Sequence, residues 1–253
     1  MAMMNLKWYL PFYKKYVAAM SRVSALEMVF ALMLESPRFI PSDKTGFNAQ
    51  MHRKKIFLDL MAAFNPEIIV ETGTFIGDTT GYMRTVTKAR IFTCEANRTF
   101  QTLAKSRLSD LSGINFTLGD SRQFLRTLFA SELSPAGISK PVFFYLDAHW
   151  HEDLPLNDEI KIIGENLKEF VILVDDFEVP GDPGYGWDNY GKNKALDLAT
   201  FNGCFQQSNL VPFFPSLPAA QETGVRRGCV VLVPQGRMSD KVRELKSLRM
   251  SQP

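Results

Sequence analysis

The stretch YLDAHWHEDLP, Tyr145 to Pro155, places Asp147, His149 and His151 on alternate positions just past an apolar run, and it holds two of the chain's three histidines. A carboxylate followed two residues later by an imidazole supports three readings: a metal site, a base that takes a proton from a hydroxyl, or a polar strand end. A second acidic pair, Asp175 and Asp176, closes the apolar run FVILVDD. A further acid, Glu71, stands two positions before Gly73 in VETGTFIGDTTGY. There Gly73 allows a tight turn, Gly77 lets a helix begin close against a ligand, and Thr79 and Thr80 supply hydroxyls in the first helical turn. The glycines are spaced G-x-x-x-G, so the G-x-G-x-x-G that cradles a dinucleotide pyrophosphate is absent. Asp78 also stands where a phosphate-binding loop would carry lysine. An acidic loop of this kind suits a cationic ligand better than a pyrophosphate.

The elements that must position these residues are legible in the hydrophobic rhythm. Short, nearly continuous apolar runs recur as EIIVE, RIFTCE, INFTL, VFFYLD, FVILVDD and CVVLV, as expected for strands covered on both faces of a parallel sheet. Helix-period segments lie between them. NRTFQTLAKSRL puts Phe100, Leu103, Ala104 and Leu108 on one stripe, DSRQFLRTLF opens with Asp120 and Gln123 at capping-box spacing, and NDEIKIIGENL begins with acids that favour a helix N-terminus. Strand and helix alternate, which predicts a doubly wound α/β fold with a mostly parallel sheet and helices on both faces. The segment VPGDPGYGWDNYG, Val179 to Gly191, breaks the rhythm after the fifth run. It is expected to be a ligand-facing loop carrying Tyr185, Trp187 and Tyr190.

The bulk properties bound the function. With 253 residues, 45% hydrophobic and 22% charged, the chain reads as an ordinary globular protein, and a net charge of only +2 argues against a dedicated nucleic-acid binder. Three widely spaced cysteines without a CxxC pair predict reduced thiols and a cytoplasmic location. The apolar stretch from Val23 to Leu34 is interrupted by Glu27 and is too short to span a membrane; no signal-peptide cleavage site follows it. Six of the eleven methionines fall in the first 33 residues. Residues 1–50 are therefore expected to form an N-terminal helical extension, with a packing helix as the simplest use. A lid, a homodimer contact and a peripheral membrane-surface helix remain the other uses. Residues 51–253 are expected to form the main domain.

The loop ETGTFIGDTT resembles the first motif of the class I S-adenosylmethionine-dependent methyltransferases, where an acid and glycines surround the methionine moiety of the cofactor. The resemblance runs from about Glu67 to the last strand and implies a seven-stranded Rossmann-like sheet. Carried over residue by residue, it implies cofactor contacts from Glu71, Gly73, Thr74, Gly77 and Thr79. Glu95, ending RIFTCE, would bind the ribose hydroxyls, and Asp120 and Ser121 of LGDSRQFL would contact adenine. Asp147 would face the methyl donor. Within that class, the acids ending the fourth and fifth runs resemble those of the metal-dependent O-methyltransferases of catechol and sugar type. This implies Mg²⁺ held by Asp147, Asp175 and Asp176, with His149 as the general base. A small-molecule acceptor, narrowed by the resemblance to a sugar or glycosylated metabolite, would meet Trp150, His151, Tyr185, Trp187, Tyr190 and Arg226.

The same residues leave two rival functions open. Asp147-x-His149 also resembles the metal-binding DxH of nucleotide-sugar glycosyltransferases, although that reading leaves the glycine loop, Glu95 and the Asp175–Asp176 pair without a task. A methyltransferase-like binding protein without catalysis is the other, and here every expected carboxylate is present.

Overall fold

In a computed structural model of the chain, the described residues are 38–251, except 43, 134–138, 150–152 and 192–193. Residues 1–37 of the expected N-terminal helical extension (1–50), and with them Trp150 and His151, lie outside the described residues. The elements run α1 (Met51–Phe64), β1 (Ile68–Thr72), α2 (Asp78–Val86), β2 (Arg90–Glu95), α3 (Arg98–Arg107), β3 (Ile114–Leu118) and α4 (Ser121–Ser131). They continue as β4 (Val142–Leu146), α5 (Leu156–Asn166), β5 (Phe170–Asp175), α6 (Leu198–Gln207), β6 (Leu210–Pro215), β7 (Cys229–Pro234), α7 (Arg237–Arg243) and β8 (Leu248–Met250).

The strands form one sheet in the order β3-β2-β1-β4-β5-β7-β6-β8. Strands β1 to β5 are parallel, and β7 enters antiparallel between β5 and β6. The expected seven strands are eight, because the short β8 adds an antiparallel edge beside β6. Val142 to Leu146 and Phe170 to Asp175 are buried at every position, because helices cover both faces as the continuous apolar runs require. On one face Phe124, Leu128, Ile160, Phe201 and Phe205 of α4, α5 and α6 pack against Val70, Phe144, Ile172 and Val230. On the other, Ile56, Phe57, Leu60, Met83, Met238 and Val242 of α1, α2 and α7 pack against Ile69, Tyr145, Leu173 and Val231. Buried Cys94 and Cys229 act as small apolar strand residues within these layers.

The chain travels outward from β1 to β3 and then returns to β4 on the other side of β1. That reversal leaves a crevice beyond the carboxyl ends of β1 and β4. The segment before α1 closes one side of it. Phe47 is fully buried among Phe57, Tyr82 and Tyr145. It opens a tight turn in which Phe47, Asn48 and Ala49 all have positive φ, an unusual run for residues other than glycine.

Candidate active site

The glycine loop leaves β1 and folds tightly back. Gly73 and Thr74 donate their N–H groups to the Cys94 carbonyl, at 2.9 and 3.1 Å, which ties the loop to β2. Gly73 has φ 86°, and a Cβ there would sit 2.2 Å from the Asp147 carbonyl oxygen. Only glycine lets this loop and the end of β4 come so close. Gly77, φ 82°, caps α2, and a Cβ there would press on Leu108 at 2.6 Å. Arg107 of α3 braces the loop by donating to the Ile76 carbonyl at 2.5 Å and to Asp78 at 2.8 Å.

Glu71 is buried under this loop. One carboxylate oxygen accepts the hydroxyls of Thr80 (2.5 Å) and Thr93 (2.6 Å); the other, Oε1, has no partner. Burial pushes the Glu71 carboxyl up to about 7 against the opposing pull of those two hydroxyls. Glu95 ends β2 half-buried, accepting the N–H of Phe75 on Oε2 and that of Asn97 on Oε1, both at 2.8 Å. Ala96 also bonds this carboxylate through its backbone, and a carboxylate's roughly four acceptor positions leave capacity for a further donor. Thr74 shares a hydrogen bond with Thr93, and the Thr79 hydroxyl accepts the Phe47 N–H at 3.1 Å, so the loop also grips the turn before α1. Asp120 is exposed, caps α4 through the N–H groups of Arg122 and Gln123, and pairs with the Arg122 guanidinium. Ser121 beside it is buried. Gln123 bonds Thr127 rather than returning to Asp120, so half of the expected capping box is present.

At the ends of β4 and β5, Asp147, His149 and Asp176 offer ligand atoms that all lie within 4.8 Å of one another. His149 Nε2 is 3.7 Å from Asp147 Oδ1, the imidazole is 3% exposed, and that nitrogen has no hydrogen-bond partner. A buried ring nitrogen facing two carboxylates without bonding either is an arrangement with room for a proton or a cation. Burial lowers the His149 pKa, outweighing Asp176 and Asp188, which raise it, so the ring is neutral at pH 7. The Asp147 carboxyl is pushed well above the usual carboxylate range, first by desolvation and then by Asp176 and Asp188. Because 34% of that side chain stays accessible, water limits the shift. Asp176 has φ 54°, a left-handed conformation that costs about 1–3 kcal/mol for such a residue and is typical of functional sites.

Asp175 is not part of this cluster, and its expected role as a metal ligand is corrected. It shares the parity of Val171 and Leu173, whose side chains face α1, so the strand turns it away from the mouth. There it is an ion-pair partner of buried Arg53 and accepts Tyr145 Oη at 2.5 Å, Asn48 Nδ2 at 3.2 Å and the Asp176 N–H at 2.8 Å. His149 takes its place among the converging donors. Tyr185, expected to face substrate, is buried in the core and donates its hydroxyl to the Leu217 carbonyl at 2.9 Å. Arg226 is exposed and bonds the Glu222 carbonyl at 3.1 Å, so the arginine at the site is its neighbour. Arg227 forms ion pairs with both Asp176 and Asp188. Trp187 and Tyr190 are half-buried on the same loop as Asp188, and the Tyr190 hydroxyl donates to Asp188 Oδ2.

Arg53, Arg227 and Asp188 are the charged residues the geometry adds around the acids ending β5, and Glu159 of α5 is buried beside Ser121 and Thr72. For Asp188 a signal existed, an acid inside the aromatic loop. Arg53 reads in sequence as one of several basic residues on α1.

No family model matches the sequence, and no curated protein matches it. Solved structures do. An O-methyltransferase from Bacillus cereus in complex with SAH aligns over 86% of this chain and 96% of its own, with 15% identity and a TM-score of 0.52. A candidate caffeoyl-CoA O-methyltransferase from Staphylococcus aureus aligns over 88% and 99%, with 12% identity and a TM-score of 0.52. The chain has the Rossmann-like fold of these methyltransferase structures.

Proposed function

We propose that the chain transfers a methyl group from S-adenosylmethionine to a hydroxyl of a small-molecule acceptor, assisted by a divalent cation. The observation that carries the reading is the buried, unpartnered His149 Nε2 facing Asp147 and Asp176 at the reversal point of a methyltransferase-like sheet. The residues fit the cofactor. Glu71 Oε1 is a buried acceptor without a donor, suited to an ammonium, and Glu95 retains acceptor capacity for a ribose hydroxyl. Asp120 and Ser121 lie at the start of α4, where adenine would be met. Asp147 and Asp176 are hard oxygen donors suited to Mg²⁺.

When bound, the cofactor supplies a sulfonium methyl open to displacement by a hydroxyl oxygen, and the cation lowers the pKa of that hydroxyl. His149, neutral and desolvated, takes the hydroxyl proton at Nε2. Gly73 holds the cofactor loop against the end of β4, so the donor and the base share one crevice. A second reading has a specific observation in its favour: the three donor atoms lie close enough for His149 to be a cation ligand itself. An imidazole in the set would shift preference toward Mn²⁺ or Fe²⁺. The half-buried Trp187 supports an acceptor with a ring face, such as a sugar or glycosylated metabolite.

The test is turnover with a panel of hydroxylated acceptors, read as the appearance of demethylated cofactor. Activity with Mg²⁺ that stops in excess chelator is the expected result. Turnover indifferent to chelator would remove the cation from the proposal.

A further inference from the structure

The cluster already contains a cation of the chain's own. Arg227 donates from Nε to Asp176 Oδ1 and from Nη2 to Asp188 Oδ1, bridging an acid at the end of β5 and one in the aromatic loop. Its guanidinium thus engages one of the two carboxylates that would hold a divalent ion. The backbone beneath it is fixed independently of that side chain. Gln50 accepts the Arg227 N–H at 2.8 Å and donates to its carbonyl at 2.9 Å, and Arg53 donates to the Arg227 carbonyl and to that of Gly228 (2.8 Å). A Cβ at Gly228 would lie 2.1 Å from the Phe177 carbonyl oxygen, so this strand start is packed hard against the end of β5. Asp188 is held as firmly, its N–H donating to the Asp176 carbonyl at 2.9 Å and its own carbonyl accepting the Leu196 N–H at 2.9 Å.

We infer that Arg227 is a positioning residue that competes with the divalent cation for Asp176, with Asp188 as the partner that retains it when the cation binds. The inference rests on the cation reading above. Before binding, the guanidinium offsets the repulsion among Asp147, Asp176 and Asp188. On binding, Asp176 turns to the ion, and Arg227 keeps its pair with Asp188 alone, with no movement of the clamped backbone. Asp188 therefore sets how readily Arg227 leaves. The device tunes cation affinity downward and offsets part of the negative charge of the acidic mouth between turnovers.

The two partners should shift affinity in opposite directions, which a merely structural role would not produce. The experiment titrates Mn²⁺ into the full chain, following free Mn²⁺ by electron paramagnetic resonance, for wild type, Arg227→Gln and Asp188→Asn. Arg227→Gln removes both the competitor and a positive charge beside the ion, and is expected to tighten Mn²⁺ binding about tenfold or more. Asp188→Asn leaves Arg227 with Asp176 alone and is expected to weaken it. Thermal melts of each variant confirm folding. If Arg227→Gln weakens binding or leaves it unchanged while wild type binds Mn²⁺, the competition is refuted and the cation centre stands. If no form binds Mn²⁺ at millimolar concentration, both are refuted together.

Discussion

Replacing Asp175 by Asn should damage stability and spare the cation centre, and the size of the effect follows from its surroundings. The carboxylate is 1% exposed and faces the Arg53 guanidinium, itself 1% exposed. Asn keeps the shape and an oxygen for the Tyr145 hydroxyl or the Asp176 N–H, but removes the charge. Arg53 Nη2 would still reach the carbonyls of Arg227 and Gly228, while Nη1 would lose its anionic partner and Nε already has no partner. Breaking a buried pair from one side costs about 3–5 kcal/mol, and the surviving bonds place this variant near the lower end, at about 3 kcal/mol. For a domain of this size that is a fall in melting temperature of about 6–12 °C. Circular dichroism melts of wild type and variant, with Mn²⁺ affinity measured on each below the transition, supply the assay. A variant that melts within 2 °C of wild type but binds Mn²⁺ much more weakly would refute the reasoning and return Asp175 to the ligand set.

Three further expectations are separable. His149→Ala should leave S-adenosylmethionine affinity intact and slow single turnover by about 10²- to 10⁴-fold, with residual activity rising with pH. If its Mn²⁺ affinity collapses as well, His149 is a ligand and the second reading holds. Glu159, buried on α5, is pushed up to about 7 by desolvation, against the pull of Ser121 and Thr72. A carboxyl raised in the folded state is bound to its proton more tightly there, so its contribution to stability declines as pH rises from about 4.5 to 7 and is flat above. The melting-temperature advantage of Glu159→Gln over wild type should therefore grow across that window, and a constant difference would refute the assignment. Gly73→Ala would force a Cβ against the Asp147 carbonyl and should abolish cofactor binding with the fold retained by circular dichroism; unimpaired binding would show that the loop does not need that approach.

Much of the fold was legible because burial on both faces writes continuous apolar runs, as in β4 and β5; six of the eight strands were read from apolar runs, although β3, at the sheet edge, alternates between half-buried and exposed positions. The two that were not read lack that signature for physical reasons. In β6, LVPFFP, two prolines interrupt an otherwise apolar edge region, and the three-residue β8 is only partly buried. At the site, alternation from β4 brought His149 near Asp147 as expected. The same alternation, applied to neighbouring residues, sends Asp175 and Asp176 to different places, and the positive φ of Asp176 completes the separation. Which acid is paired by Arg53 depends on how α1 packs, and no local pattern encodes that. Arg226 and Arg227 are likewise indistinguishable in sequence. The exposed Arg226 has positive φ, and Gly228 seats Arg227 at the mouth.

The most direct test of the proposed methyltransferase activity is calorimetric titration of S-adenosylmethionine, and separately of a uridine diphosphate sugar, into wild type and Glu95→Ala. The expected result is one-site binding of S-adenosylmethionine at micromolar affinity, weakened about tenfold or more in Glu95→Ala by loss of charge-assisted hydrogen bonds, with no heat from the nucleotide sugar. Binding of the nucleotide sugar with none of S-adenosylmethionine would contradict it and favour the glycosyltransferase reading of Asp147 and His149.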